Sequence, residues 1–345
     1  MFTSFGRKPD AKRKKAFDAI PNYKNGQFQN PVPTPSFSED SNMLKAMREF
    51  MRRHVDTVPV LPLPIVKTDL HQLDRSENIL AWFGHSSYYL QVEDCRILVD
   101  PVFSNNASPI PGSVVAFKGP DQFRVDDIPE CDLLLISHDH WDHLDYDSIR
   151  KLKGRVGKVI CGLGVAQHFE YWGWDPALLI EKNWHEAVIA FPDIQLTLTP
   201  ARHFSGRGFS RNISLWTSFV LETSKRKLFL GGDSGYGPHF KEIGAQYGPF
   251  DLAILECGQY NKNWPFIHSF PEELITEAQE LRATCLMPVH HSKFKLAQHP
   301  WYEPLQDVVA AADKAQIPVA TPRMGELVKL DQLDQSWPAW WEAIR

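Results

Sequence analysis

Short apolar runs separated by polar turns recur along the chain from about residue 79 onward. The first such runs, 79–83, 88–92 and 96–99, predict three successive strands with hairpin-like joins. Later apolar runs predict strands at 133–136, 159–161, 195–199, 216–223, 227–230, 252–256, 284–289 and near 327. Between them, the pattern predicts helices at 144–153, 165–172, 269–282 and 304–314. Strands with a helix at every second or third element indicate the α/β class.

The N-terminal part has a different pattern. Residues 1–35 are polar, basic and proline-containing, which predicts an irregular arm, whereas apolar residues at helical spacing predict a helix over 41–54. The prolines of 58–64 exclude a helix or central strand and indicate a connector. We therefore expect residues 1–57 to form an arm and helix packed on a core domain over 58–345.

Composition identifies an ordinary globular protein. The chain has 345 residues, 43% of them hydrophobic, and a net charge of −5, which gives no argument for nucleic-acid binding. Its five cysteines are scattered, odd in number and never in a Cys-x-x-Cys pair. They are interpreted as reduced core or edge residues rather than a disulfide frame or a thiolate zinc site, so we expect a reducing, cytoplasmic environment.

The N-terminus carries a basic cluster but no targeting signal. No apolar run approaches the roughly 20 residues of a membrane span, and no apolar segment follows the basic start, so a secretory signal is not expected. Arg7, Lys8 and the basic residues of 12–15 form either a solvated tail, which is favoured, or a peripheral contact with anionic lipid headgroups.

The densest chemical signal directly follows the apolar run 133–136. His138, His140, Asp142 and His143 place three imidazoles and a carboxylate within six positions, where a strand ends in a turn. Neutral imidazole and carboxylate are ligands that zinc and similar metals accept. A polar turn with accidental histidines is the alternative, but metal binding is the favoured interpretation.

Three further candidates, His203, Asp233 and His290, each lie just past the carboxyl end of a predicted strand. Strand ends converge on one crevice in open α/β architectures, so these side chains are expected to join the first cluster. Five histidines and two aspartates suffice for two metal ions with an open position for water. His290 is chosen over His291 because it lies closer to the strand, although the residues alone give no physical preference.

Three outer residues are assigned supporting roles. Asp100 ends a strand and is either a turn former or, as favoured, the acceptor for the second N–H of a metal-bound histidine. His85 either lines the cavity or supports a ligand. His268 precedes a helix start whose capping box is expected at 269–272, so it either donates to an anion there or merely supports the helix entry.

These motifs resemble the metallo-β-lactamase superfamily, whose His-x-His-x-Asp-His spacing matches 138–143. Within it, successive blocks at 82–85, 100–103, 136–146, 199–203, 232–236, 248–252, 268–273 and 290–294 resemble the N-acylphosphatidylethanolamine-hydrolysing phospholipase D family. The resemblance implies an αββα four-layer sandwich, with two mixed sheets facing each other and helices outside.

The same resemblance implies a ligand set and a reaction. His138, His140 and His203 would hold one zinc ion, Asp142, His143 and His290 the other, and Asp233 would bridge them. A metal-bridging hydroxide would attack a phosphodiester, and His268 would protonate the leaving alcohol or bind the phosphoryl group. The expected catalytic residues are Asp142, Asp233 and His268.

The implied substrate is an N-acylphosphatidylethanolamine-like phospholipid, with possible peripheral membrane contact. The alternative enzyme is a lactonase or phosphodiesterase of a small soluble anion, similar to the ascorbate-6-phosphate lactonase branch. A lipid needs a long apolar groove, whereas the small anion needs a compact basic pocket. A non-catalytic metal-binding protein is disfavoured, because a retired site has no physical reason to keep a complete ligand set.

Overall fold

The computed structural model describes residues 3–42, 44, 45, 48, 52 and 55–345. Most of the helix predicted over 41–54 lies outside these residues. Within the described residues, no helix combines the length and apolarity needed to traverse a bilayer.

The secondary structure alternates strands and helices along the chain. The strands are β1 Tyr23–Lys24, β2 Gln27–Phe28, β3 Ile79–Trp82, β4 Tyr88–Val92, β5 Cys95–Val99, β6 Cys131–Ile136, β7 Val156–Gly162, β8 Leu179–Lys182, β9 Ala187–Phe191, β10 Ile194–Thr199, β11 Ser218–Glu222, β12 Lys227–Leu230, β13 Phe250–Glu256, β14 Ala283–Val289 and β15 Leu327–Lys329. The α-helices are α1 Ala11–Phe17, α2 Tyr146–Leu152, α3 Ala166–Tyr171, α4 His239–Gln246, α5 Pro271–Leu281 and α6 Glu303–Ala315.

Two mixed sheets form the centre of the protein. The first has the order β15-β3-β4-β5-β6-β7-β8, antiparallel from β15 to β5 and parallel from β5 to β8. The second has the order β14-β13-β12-β11-β10-β9, parallel from β14 to β12 and antiparallel from there to β9. The strands predicted from apolar runs are thereby confirmed, including the three antiparallel strands β3 to β5.

The two sheets face each other across one core. Side chains of both sheets, such as Leu134 of β6 and Ile254 of β13, belong to the same buried cluster, together with Ile149 of α2 and Phe169 of α3. A second cluster joins the other face of the β9–β14 sheet to α4, α5 and α6. The expected arrangement of helices outside two facing mixed sheets is thus present.

The expectation of an irregular N-terminal arm is wrong. The carboxylate of Asp10 caps α1 by accepting a hydrogen bond from the backbone N–H of Arg13, and β1 and β2 form a hairpin. Phe17, Tyr23 and Phe28 then bury their rings with Trp216 of the core. The sequence pattern does not predict these elements because each is only two to seven residues long. Elements this short are stabilised mainly by packing on the core rather than by their own sequence.

Other elements were not predicted. β8 and β9 lie at the sheet edges and are only partly buried. β8 has two apolar residues before a charged pair, which is a weak strand signal, whereas the apolar run Ala187–Phe191 is a signal from which β9 could have been found. The helix α4 follows the glycine-rich segment 231–237 and was also missed.

Candidate metal centre

The predicted metal loop lies at the carboxyl end of β6, the strand that runs parallel between β5 and β7. Directly after β6 the chain turns back tightly, because the backbone N–H groups of His143 and Leu144 both donate to the carbonyl of His140, at 3.2 and 2.8 Å. The turn gathers the side chains of His138, His140, Asp142 and His143 on one side before α2 begins.

The distant candidates reach the same place from the second sheet. His203 follows β10, Asp233 follows β12 and His290 follows β14, each past the carboxyl end of its strand. All three are at least 97% buried. The structure therefore brings together every residue that the sequence proposed as a ligand, although its role as a ligand stays a prediction.

One set of potential donor atoms surrounds His140. The Nδ1 atom of His140 lies 2.8 Å from Nε2 of His138 and 3.2 Å from Nε2 of His203. The Oδ2 atom of Asp233 lies 3.8 and 3.7 Å from those two Nε2 atoms. The donor atoms of these four residues all lie within 4.8 Å of one another, close enough to hold one metal ion.

A second set shares the Asp233 carboxylate. Its Oδ2 atom lies 3.1 Å from Nε2 of His143 and 3.1 Å from Nε2 of His290. The Oδ2 atom of Asp142 lies 3.7 and 3.5 Å from the same two nitrogens. Asp233 therefore stands between the two sets, in the place that the sequence predicted for a bridging ligand.

Unpaired buried atoms test whether these residues fit a metal. Within the described chain, Nε2 of His143, Nε2 of His290 and Oδ1 of Asp233 are buried without a hydrogen-bond partner. Leaving such atoms unpaired in the interior is costly. A cation among them removes that cost, and imidazole nitrogen with carboxylate oxygen is the donor set that zinc accepts, so the residues fit a metal.

Outer partners fix the orientation of the imidazoles. The Nδ1 atom of His143 lies 2.8 Å from Oδ2 of Asp100, and Nδ1 of His203 lies 2.9 Å from the backbone carbonyl of Ile267. Such contacts hold the proton on Nδ1, which leaves Nε2 free to bind a metal. Asp100 thus has the geometry of the favoured supporting role rather than that of a simple turn former.

His85 contacts the proposed ligand Asp142, the geometry expected of a supporting residue, and its ring nitrogen also lies near those of His143 and His290. Its ring is fully buried, and Nε2 lies 2.8 Å from Oδ2 of Asp142. The backbone N–H of His290 donates to the carbonyl of His85 at 3.0 Å, and the N–H of His85 donates to the carbonyl of His291 at 2.8 Å. His85 therefore connects the metal loop to the loop that carries His290.

The structure also separates His290 from His291. His290 directs Nε2 toward Asp233 and Asp142, whereas His291 stacks on Trp82, with ring centroids 4.8 Å apart, and its Nε2 contacts the carbonyl of Pro288. His290 adopts a left-handed backbone with φ of 69°, which turns the two neighbouring side chains in different directions.

Burial and charge set the protonation of the cluster. Burial lowers the pKa of His138 and His203 well below the usual value and that of His140 to about 4, which favours the neutral imidazole that metals require. Burial also opposes the charged form of His143, but the carboxylates of Asp233 and Asp142 outweigh it and raise its pKa to about 10. A bound cation would replace that proton.

His268 lies beside the cluster. Its ring stacks on His290, with centroids 5.0 Å apart, and lies 5.1 Å from the ring of His203. The helix cap expected at Ser269 is wrong, because Phe270 occupies the cap position and its backbone N–H donates to Glu273. Ser269 instead donates its N–H to Glu256 at 2.8 Å.

Two buried groups near the cluster were missed in the sequence. Glu256 lies 3.4 Å from both His268 and His290, and Asp139 accepts hydrogen bonds from Gly206 and Ser214. Glu256 is a carboxylate at the end of an apolar strand. This is the same signal that identified Asp100. Asp139 had no such signal, because it lies between two ligands.

The N-terminal segment covers the outside of the metal loop. The guanidinium of Arg207 donates to the carbonyls of Ser4, Asp139 and Leu144 and lies 4.0 Å from the ring centroid of Trp141. The backbone N–H of Arg7 donates to Nδ1 of His168, whose Nε2 lies 3.2 Å from Asp139. The arm therefore holds the loop from behind.

Comparison with known proteins agrees with this geometry. Residues 95–291 match the family described as Beta-lactamase superfamily domain. An uncharacterized protein of Mycobacterium tuberculosis is 36% identical over 313 residues, covering 89% of this chain and 84% of that protein. The N-acyl-phosphatidylethanolamine-hydrolyzing phospholipase D 1 of Caenorhabditis elegans is 28% identical over 286 residues, covering 76% of this chain and 78% of that protein.

Among solved structures, a metallo hydrolase from the archaeon Ignicoccus hospitalis is similar, with a TM-score of 0.55 and 22% identity. The matched region covers 73% of this chain and 98% of the archaeal chain. At this identity the likeness establishes the fold, which is the metallo-β-lactamase fold implied by the sequence.

Proposed function

Since the chain belongs to the Beta-lactamase superfamily domain family and is a metal-dependent hydrolase of the metallo-β-lactamase superfamily, we propose that it hydrolyses phosphodiester bonds with two zinc ions. The substrate that we propose is an N-acylphosphatidylethanolamine-like phospholipid, cleaved in the manner of a phospholipase D. The observation that carries this proposal is the position of Asp233, which belongs to the donor set of His138, His140 and His203 and lies 3.1 Å from Nε2 of both His143 and His290.

Two ions held side by side suit a phosphodiester. His138, His140 and His203 would hold one ion and Asp142, His143 and His290 the other, with Asp233 between them. When bound, the ions supply Lewis acidity and a hydroxide nucleophile at neutral pH. All seven proposed ligands except His140 are buried. The residues that surround the ligands therefore hold them in place and exclude bulk water from the site.

The balance of the reaction assigns a task to His268. Water adds to phosphorus, the bond from phosphorus to the ethanolamine oxygen breaks, and phosphatidic acid and an N-acylethanolamine are released. The leaving alkoxide needs a proton, and His268 is a titratable side chain beside both donor sets and outside the seven proposed ligands, although its ring nitrogen also lies near Asp233 and His290. We assign it the role of general acid.

The surroundings of the site support a substrate that is both anionic and apolar. The ring of Phe204 packs on His140 and His203, with centroids 4.5 and 4.7 Å apart, and the exposed guanidinium of Arg211 lies 3.9 Å from the Phe204 centroid. An arginine at this place can pair with a phosphate oxygen, and the aromatic ring offers apolar contact to a lipid.

Peripheral contact with a membrane is part of the proposal. Phe209 lies in the same loop as Phe204 and Arg211 and is fully exposed. The basic arm adjoins this loop, since Nζ of Lys8 donates to Oγ of Ser210 at 2.6 Å. The cationic residues would attract an anionic bilayer, and the exposed aromatic ring could then enter its headgroup region.

The substrate assay compares classes directly. The zinc-loaded protein is incubated with N-acylphosphatidylethanolamine in mixed micelles, bis-p-nitrophenyl phosphate, and a panel of lactones, with the His290→Gln variant as the control for contaminating activity. We expect phosphatidic acid from the lipid, at a higher kcat/KM than for the soluble compounds. Preference for a lactone or a soluble diester would support the small-anion alternative instead.

A further inference from the structure

Glu256, the last residue of β13, joins two imidazoles with one carboxylate. Its Oε1 atom lies 3.4 Å from Nδ1 of His268, and its Oε2 atom lies 3.4 Å from Nδ1 of His290. The side chain is 3% exposed. One of these imidazoles is a proposed metal ligand and the other is the proposed general acid, so a single carboxylate contacts both parts of the site.

The environment of Glu256 contains no other compensating charge. Among the ion pairs of the described residues, Glu256 has only these two histidines as partners, and no lysine or arginine. Burying a carboxylate is costly unless hydrogen bonds or opposite charge compensate it. Oε2 of Glu256 and Nδ1 of His268 are both buried and form no hydrogen bond in the part of the chain that the structure describes, so the 3.4 Å approaches of Glu256 to the two imidazoles are ion-pair contacts. Nδ1 of His290 also lies 3.4 Å from the backbone carbonyl of Gly258.

We propose that Glu256 is a positioning residue that orients His268 for proton donation while it supports the metal ligand His290. This inference rests on the proposed function, since it takes His268 as the group that protonates the leaving alcohol. A carboxylate at Nδ1 keeps one proton on that nitrogen, so the second proton of the imidazolium form sits on Nε2 and is the one passed to the leaving oxygen, which leaves the neutral Nδ1–H tautomer behind.

The loop that carries His268 is held by two hydrogen bonds of Ser269, one from its backbone and one from its side chain. The backbone N–H of Ser269 donates to Oε1 of Glu256 at 2.8 Å, and its hydroxyl donates to the carbonyl of Ser234 at 2.9 Å. Ser234 directly follows Asp233, so this loop keeps a set distance from the shared ligand. Glu277 contacts the Ser269 hydroxyl, and burial raises the pKa of Glu277 well above its usual value.

Two substitutions separate the contacts of Glu256. Glu256→Met removes both oxygens at similar length. Glu256→Gln keeps one oxygen, which we place between Ser269 N and His268 Nδ1 because the N–H of Ser269 needs an acceptor. The amide nitrogen then faces His290, whose Nδ1 also donates, so the glutamine variant should lose support for the metal ligand while it retains support for His268.

The kinetic test uses two diesters that differ in their need for a proton. Phenolate is a more basic leaving group than p-nitrophenolate, so general-acid catalysis matters more for diphenyl phosphate than for bis-p-nitrophenyl phosphate. At saturating zinc, Glu256→Met should lose ~100-fold in kcat on diphenyl phosphate but less than ~10-fold on bis-p-nitrophenyl phosphate. Glu256→Gln should recover most of the loss, while its zinc affinity stays ~10-fold weakened.

A purely structural role gives a different result. It would lower kcat on both diesters alike in Glu256→Met, and that outcome overturns the proposal. Thermal unfolding of each variant reports whether the fold is retained. Glu277→Gln is the matched control, because glutamine resembles a neutral carboxylic acid and Glu277 does not contact either histidine; its kcat ratio for the two diesters should equal that of the wild type.

Nuclear magnetic resonance of 15N-histidine-labelled, zinc-loaded protein tests the same claim without catalysis. At a pH high enough for the His268 ring to be neutral, we expect its Nδ1–H tautomer in the wild type and in Glu256→Gln, and a mixture of tautomers in Glu256→Met. An Nε2–H tautomer in the wild type, or an unchanged tautomer in Glu256→Met, overturns the role of Glu256. Failure of the wild type to hydrolyse both the soluble diesters and N-acylphosphatidylethanolamine would overturn the proposed function, while the tautomers still decide the role of Glu256.

Discussion

The Nδ1 atom of His143 lies 2.8 Å from Oδ2 of Asp100. The other carboxylate oxygen, Oδ1, accepts a hydrogen bond from the backbone N–H of Ser137 at 2.8 Å. One carboxylate therefore orients a proposed ligand and fixes the start of the loop that carries the others. Because Asp100 lies one residue after β5 and Ser137 one residue after β6, the parallel pairing of these strands creates this contact.

Asp100→Asn should weaken zinc binding. Asparagine tolerates the left-handed backbone of residue 100, where φ is 41°, but it cannot accept from both His143 and Ser137 as a carboxylate does. We expect zinc affinity to fall ~10–100-fold with the fold retained. Competition with a chromophoric chelator measures the affinity, and an unchanged value would refute the supporting role of Asp100.

The adjacent histidines offer a matched pair of variants. His290→Gln should abolish binding of one zinc ion and reduce hydrolysis of bis-p-nitrophenyl phosphate by at least ~100-fold, since that ion would lose a ligand beside Asp142 and the shared Asp233. His291→Gln should retain two ions and most activity, because the ring of His291 contacts Trp82, Pro288 and Ser292 and belongs to neither donor set. Metal analysis of the two purified variants checks this, and equal losses would contradict the assignment.

Removal of the metal should abolish hydrolysis and lower stability. A chelator leaves His143, His290 and Asp233 with unpaired buried atoms, whereas zinc stabilises the folded state by ~2.7 kcal/mol at a concentration of 100 Kd. We expect a lower Tm after chelation, full recovery of Tm and turnover with added zinc, and no recovery with magnesium, which prefers oxygen ligands. Turnover that persists in the metal-free protein would refute a metal-dependent reaction.

Gly6 should be essential to the contact between the arm and the metal loop. It has φ of 71°, and an added Cβ would lie 1.9 Å from Nδ1 of His168, so Gly6→Ala must displace the segment that Arg207 holds. Gly26 has φ of 76° but nothing within 4 Å of an added Cβ. Gly26→Ala should cost ~1–2 kcal/mol of unfolding free energy from backbone strain alone, and Gly6→Ala clearly more. Urea denaturation compares them, and equal losses would contradict the contact.

Lys293 predicts a pH dependence of stability. Its ammonium is fully buried and donates to the carbonyls of Phe83 and Val102, and burial lowers its pKa from 10.5 to about 7. Between these values the unfolded chain binds a proton that the folded chain does not, so stability should rise with pH from about 7 to 10.5.

Lys293→Met should flatten that rise. The difference in unfolding free energy between wild type and variant is expected to change by up to ~1.4 kcal/mol per pH unit in this range. Denaturant titrations of both proteins from pH 6 to 10 measure the difference, which cancels the contributions of other groups. A difference independent of pH would show that Lys293 keeps its charge in the folded protein.

The sequence predicted the parts of this protein that depend on short stretches of chain. Apolar runs identified most strands of both sheets, and the spacing of His138, His140, Asp142 and His143 identified the metal loop, because these residues lie together along one strand end and turn. Residues such as Asp100 and His203 were found because a polar side chain after a buried strand must lie at a sheet edge, where crevices form.

Tertiary structure decided what depends on contacts between distant residues. The turn at His290 points its ring toward the donor sets and the buried ring of His291 away from them, against Trp82, and only the folded loops show this. The partnership of Glu256 with His268, and that of the arm with Arg207, each join segments from different parts of the chain. No local pattern encodes such pairings, because their energies arise from burial that exists only once both sheets have packed together.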